Sequence, residues 1–159
     1  MWRKVKSFMS LNSGTKLLFM EAFFYLGWAR LLKALPFAKV APSLGIRMME
    51  TDLAPNPAQR NVIKHISQAI QVMSRYTWWE SMCLVKAIAG MKMLERRGIE
   101  STLYLGTTRD ESGSMIAHAW LRSGPYYISG YEEMERFTVV AKFGNVSKRQ
   151  ASQRGAVNG

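Results

Sequence analysis

A single cysteine stands in this chain of 159 residues. That scarcity excludes an intramolecular disulfide framework and any zinc site built from several thiolates, and it favours a reducing compartment. Histidine occurs only twice, at His65 and His118. Acidic residues are also few, 11 against 22 Lys plus Arg, which leaves a net charge of +11. Such a balance points to anionic partners: nucleic acid, a membrane surface or an acidic peptide. No Gly-rich phosphate-cradling motif is present, so neither a nucleotide nor any other cofactor is expected, and no metal.

Long uncharged apolar runs are missing as well. The stretch 17–35 is rich in Leu, Phe and Ala, but Glu21, Arg30 and Lys33 interrupt it, and its longest uncharged run after Glu21 covers only 22–29. A spanning helix needs about 20 mainly apolar residues, so neither a membrane span nor an export signal is expected. The expected location is cytoplasmic, with peripheral contact to the inner membrane surface open to the 16–35 segment.

What is abundant is apolar surface. Hydrophobic residues make up 48% of the chain, enough for one compact domain. A helix is expected over 16–35, capped by Ser13 or Thr15 and stopped near Pro36. Its apolar residues lie on nearly every side, which predicts burial on more than one face or an exposed face that meets a partner or a membrane. Pro42, Gly45, Pro55 and Pro57 mark an irregular connector over 41–57. A second helix is expected over 57–75, with Val62, Ile66, Ala69, Ile70 and Met73 on its apolar face. A third is expected from 82 to 97 behind Ser81 as N-cap, with a stripe of Leu84, Ala87, Ile88, Met91 and Leu94. Gly98 suits the left-handed position that closes it.

Beyond Gly98 the period changes to two. Strands are expected at 101–105, 115–122, 126–128 and 137–143, with a polar loop at 107–113 and a basic, disordered tail at 144–159. Ser123-Gly124-Pro125 predicts antiparallel pairing. The fold class expected is therefore α+β, helices first and a short antiparallel sheet after them. One compact domain is anticipated, with a helical extension and connector at 1–56, a core at 57–143 and the tail.

Cys83 falls in the first turn of the third helix. Unpaired amides and the positive end of the helix dipole favour thiolate there and could stabilise an oxyanion. A lone cysteine is otherwise a small buried hydrophobe. His118 lies mid-strand, where alternation puts Ile116, His118 and Trp120 on one face and Ala117, Ala119 and Leu121 on the other. A helix-start Cys followed by a strand-borne His is an arrangement suited to thiol attack on a carbonyl with imidazole as proton carrier, as in papain-like and transglutaminase-like enzymes. His65 is assigned a surface or packing role.

Several motifs in order resemble the lasso peptide biosynthesis B2 proteins, transglutaminase-like cysteine peptidases. They are Trp79-x-x-x-Cys83-Leu84, Leu94-Glu95-Arg96-Arg97-Gly98-Ile99, Leu103-Tyr104-Leu105-Gly106 and Ala117-His118-Ala119-Trp120-Leu121. Glu21-Ala22, Leu35-Pro36-Phe37, Ala41-Pro42 and Leu44-Gly45 extend the resemblance upstream, and Phe137-Thr138-Val139-Val140 downstream. It covers roughly 16–143. The resemblance implies a papain/transglutaminase-like core, Cys83 as nucleophile and His118 as general base and acid. It implies removal of the leader from a ribosomally made precursor. The implied partners are that leader, a separate leader-recognition protein and an ATP-dependent macrolactam cyclase. Many members carry Asp twelve residues after the His; here that position is Gly130. The third role is open between Ser129, a backbone carbonyl, Glu132, Glu133 and no residue at all. Competing readings are a non-catalytic peptide-binding module of the same fold and a basic membrane-surface or nucleic-acid-binding protein. The scatter of the cations and the lack of a groove-reading motif weigh against nucleic acid.

Overall fold

A computed structural model of the chain describes residues 9–77 and 82–146. Helix α1 covers Ser13–Lys33, followed by the short helix α2 at Phe37–Val40 and a 3₁₀ turn at Ala41–Ser43. Strand β1 is Ile46–Arg47, α3 is Pro57–Met73 and α4 is Cys83–Glu95. Strands β2 (Ser101–Arg109), β3 (Met115–Ser123) and β4 (Tyr126–Ser129), a 3₁₀ helix at Tyr131–Arg136 and β5 (Thr138–Asn145) complete the order. The class is α+β as expected: helices followed by a five-stranded antiparallel sheet in the order β1-β5-β2-β3-β4.

Local chemistry explains most element ends. Asn12, rather than Ser13 or Thr15, caps α1; its side-chain oxygen accepts from the Thr15 amide at 2.8 Å. Asn56 caps α3 in the same way, and Pro57 occupies the first helical position, where a missing N–H costs nothing. At the end of α4, Ile99 N donates to Leu94 O and Gly98 N to Glu95 O around Gly98 at φ +67°, the double closure expected of that glycine.

The core lies between α4 and the sheet on one side and between α4 and α1 on the other. This is why α4 is buried nearly all round, at Val85, Ala87, Ile88, Ala89, Met91, Met93 and Leu94, and not along the narrower stripe expected. Helix α1 contributes Ala22, Leu26 and Ala29, and α3 contributes Ile63, Ile66, Ala69 and Ile70. Val62, expected on the α3 core face, is instead exposed, and Ile63 takes its place. Both β-branched neighbours fit a helical period, so the sequence alone does not choose between them. Ser67 fastens α3 to the sheet by donating to Ile128 O at 2.8 Å.

Other boundaries moved. Residues 107–109 belong to β2, because Thr107, Thr108 and Arg109 pair with Ala117, Ile116 and Met115. The tail begins later than expected, since Gly144 and Asn145 pair with Thr102 and Ser101 in β5. Strand β1, hidden inside the connector, pairs with the same end of β5. Residue Ser81, expected as an N-cap, and the tail from 147 lie outside the described residues.

Candidate functional site

Cys83 is the first residue of α4, and Met82 before it makes no side-chain capping bond. The thiol is free and half-buried, packed against the edge of the core. The short link from α4 to β2 makes β2 run back along the helix, and β3, antiparallel to β2, therefore runs the same way as α4. The level is set where Gly90 approaches the Leu121 side chain so closely that a Cβ would lie 2.9 Å from Cδ2. Cys83 is seven residues before Gly90, and His118 three before Leu121. Each is thus about 10 Å back from that contact, at 1.5 Å per helical and roughly 3.3 Å per strand residue. Both residues stand at the same end of the sheet.

Ala119 and Leu121 point into the core beneath α4, so alternation sends His118, Trp120 and Arg122 to the other side. Among the described residues no hydrogen bond joins the Cys83 thiol to the imidazole. The opposite face has its own packing. His118 lies 4.9 Å from the Phe137 ring centre and 6.0 Å from that of Trp120, which in turn stacks on Tyr104 at 5.5 Å. Opposite His118 in the ladder stands Gly106, where a side chain would collide with Trp120 and Phe137.

His118 Nε2 lies 2.7 Å from the Gly130 carbonyl oxygen. A carbonyl can only accept, so Nε2 carries the proton and Nδ1 is the basic nitrogen of the neutral ring. Gly130, twelve residues beyond His118, thus meets the imidazole through its main chain. Gly130 sits at φ +74°, and a Cβ there would fall 2.3 Å from Ala119 O. No side chain, carboxylate included, fits at that point. Ser129 is fully buried, and its Oγ has no hydrogen-bond partner among the described residues. Glu132 and Glu133 lie on the exposed 3₁₀ segment. Trp120 was visible in the sequence as a neighbour of His118; Phe137, 19 positions away, was marked only as the start of the last strand, with nothing to tie it to His118.

A model of the transglutaminase-like superfamily matches residues 24–142. The chain belongs to the transglutaminase-like superfamily. The match spans α1 from Phe24 through most of β5, and therefore includes both Cys83 and His118. No curated protein and no solved structure matches the chain significantly.

Behind the His118–Trp120 face lies a polar cluster of a different kind. Arg122, 2% exposed, donates to the Thr51, Asp52 and Gly124 carbonyls, to Tyr104 Oη and to Glu50. Glu50 also pairs with Lys142 at 2.9 Å and accepts from Tyr104. The Tyr104 hydrogen bond and Lys142 hold the Glu50 carboxyl below its ordinary range. Burial, aided by Glu50, pushes the Tyr104 phenol up to about 12. Every member has a partner, so the cluster pins the 48–54 segment over the sheet. Among the described residues, no group of three or more His, Cys, Asp or Glu is placed to hold a metal ion.

Proposed function

We propose that this transglutaminase-like domain is a cysteine peptidase that removes the leader from a lasso precursor peptide, with Cys83 as nucleophile and His118 as proton carrier. The observation that carries the reading is the His118–Gly130 bond, which fixes Nε2 as donor and leaves Nδ1 basic in a domain whose one thiol opens a helix. In the proposed reaction the Cys83 sulfur bonds to the scissile carbonyl carbon while Nδ1 takes the thiol proton. The α4 amides face the developing oxyanion. The C–N bond then breaks as imidazolium returns the proton to the leaving amine, and water hydrolyses the thioester with Nδ1 again as base. The Gly130 carbonyl holds the ring throughout, a task a thiol-based site can leave to a neutral acceptor because thiolate forms far more readily than alkoxide. The reading requires the thiol to come within reach of Nδ1 once peptide is bound, as catalytic contacts often tighten only in the complex. A separate recognition protein presents the leader, and an ATP-dependent cyclase uses the freed amine.

The test is Cys83→Ala incubated with precursor, recognition protein and cyclase, with leader release followed by mass spectrometry. Loss of release is expected; unimpaired release would sink the assignment.

One observation favours a second reading, a non-catalytic peptide-binding module: among the described residues no hydrogen bond joins the Cys83 thiol to the His118 imidazole, whose Nε2 is held by Gly130 O instead. If Cys83→Ala and His118→Ala both bind precursor and support full maturation, the binding module is the correct description.

A further inference from the structure

Helix α1 buries one face and leaves the other bare. Leu17, Phe24 and Leu31, spaced by seven, are 70%, 67% and 70% exposed, and Met20, Trp28 and Leu35 fill the same stripe. Leu35 lies just past the helix end; at 100° per residue the other five span less than a third of the helix circumference, directly opposite the buried Ala22, Leu26 and Ala29. We propose that this face docks the protein on an anionic lipid surface, with α1 lying in the plane of the headgroups.

The rim supports that occupant. Lys16 and Arg30 border the stripe on one side. On the other stand Lys92, 6.0 Å from the Trp28 ring centre, and Arg96 and Arg97. Both arginines engage Glu21, at 3.7 and 2.7 Å, and Lys92 pairs with Glu95 at 2.8 Å, so the cations on this border outnumber the acids by three to two. In sequence, residues 1–8, which lie outside the described residues, hold Arg3, Lys4 and Lys6 and no acid. Basic flanks beside a Leu, Phe and Trp face are the arrangement that binds negatively charged headgroups. A second copy fits badly, because pairing α1 with α1 would bring cationic rims together. A protein partner also fits badly. Specific interfaces carry a directional polar contact for every 100–200 Å² or so, and the stripe offers only the Trp28 indole N–H, which a headgroup layer satisfies. Spanning is excluded for this helix: among the described residues no helix is long and apolar enough to cross a membrane.

The experiment is flotation of the full chain with phosphatidylcholine vesicles, with and without phosphatidylglycerol. Binding is expected only with the anionic lipid and is expected to weaken in high salt. The double variant Phe24→Ser/Leu31→Ser changes exposed residues and should keep the wild-type unfolding midpoint while losing roughly tenfold or more in vesicle affinity. Lys16→Gln/Arg30→Gln should weaken binding to anionic vesicles alone. No flotation, or equal flotation of the Phe24/Leu31 variant, overturns the proposal. So does a dimer in sedimentation equilibrium, or a complex with the recognition protein, that the same variant abolishes while vesicles are not bound.

Discussion

His118 and Gly130 are joined through a side chain at one end and the main chain at the other, Nε2 to carbonyl at 2.7 Å. The bond determines which nitrogen of the ring is basic. Nitrogen-15 correlation spectra of the neutral imidazole should show the Nε2–H tautomer. A dominant Nδ1–H form would contradict the contact.

The same relationship makes Gly130 intolerant of substitution. Gly98 and Gly130 both have positive φ, but a Cβ at Gly98 meets nothing within 4 Å, whereas at Gly130 it falls 2.3 Å from Ala119 O. Gly98→Ala should cost about 1 kcal/mol, the conformational term alone. Gly130→Ala should cost roughly 1–3 kcal/mol more, because backbone must move. Urea unfolding of the two variants compares them directly, and equal losses would refute the close approach.

Arg122 and Glu50 share an ion pair but not its consequences. Arg122 is buried and Glu50 is 39% exposed at its side chain. Arg122→Met strands the Thr51, Asp52 and Gly124 carbonyls and should cost about 3–5 kcal/mol. Glu50→Gln should cost less than ~1 kcal/mol, since water screens that end. Arg122→Lys should rescue little, because one ammonium cannot reach donors' positions set by a planar fork. Comparable losses for Arg122→Met and Glu50→Gln in chemical denaturation would show that the cluster is not organised around the arginine.

Tyr104 should titrate late. Its folded value of about 12 lies above the ordinary phenol value of 10.0, so the protonated phenol is favoured in the folded chain. The contribution is complete below pH 10 and is lost as pH rises toward 12, because the unfolded chain releases the proton first. Wild type should therefore lose its advantage over Tyr104→Phe across that window. Glu50 behaves oppositely: its folded value is lowered, so its contribution persists above 4.5 and fades as pH falls further. Thermal melts against pH check both, and a Tyr104→Phe difference that stays constant from pH 10 to 12 would contradict the first.

Much of this was legible before any coordinates. The α+β order, the helix that opens at Cys83, the closure at Gly98 and the grouping of His118 with Trp120 all follow from periods of 3.6 and 2 and from turn chemistry within a few residues. The errors lie where two neighbours fit one period equally well, as with Val62 and Ile63, or where a short strand such as β1 exists only because β5 is beside it.

The sequence by itself determined which residues could carry chemistry: one thiol, one strand-borne imidazole and no Asp in the expected place. Tertiary structure alone decided what His118 binds, which side of the sheet it occupies and which face of α1 is left bare. The physical reason is that side-chain types are written in the sequence, whereas a backbone carbonyl is the same at every residue. Only the fold, by turning the chain at Gly130 across β3, gives that one carbonyl a particular neighbour.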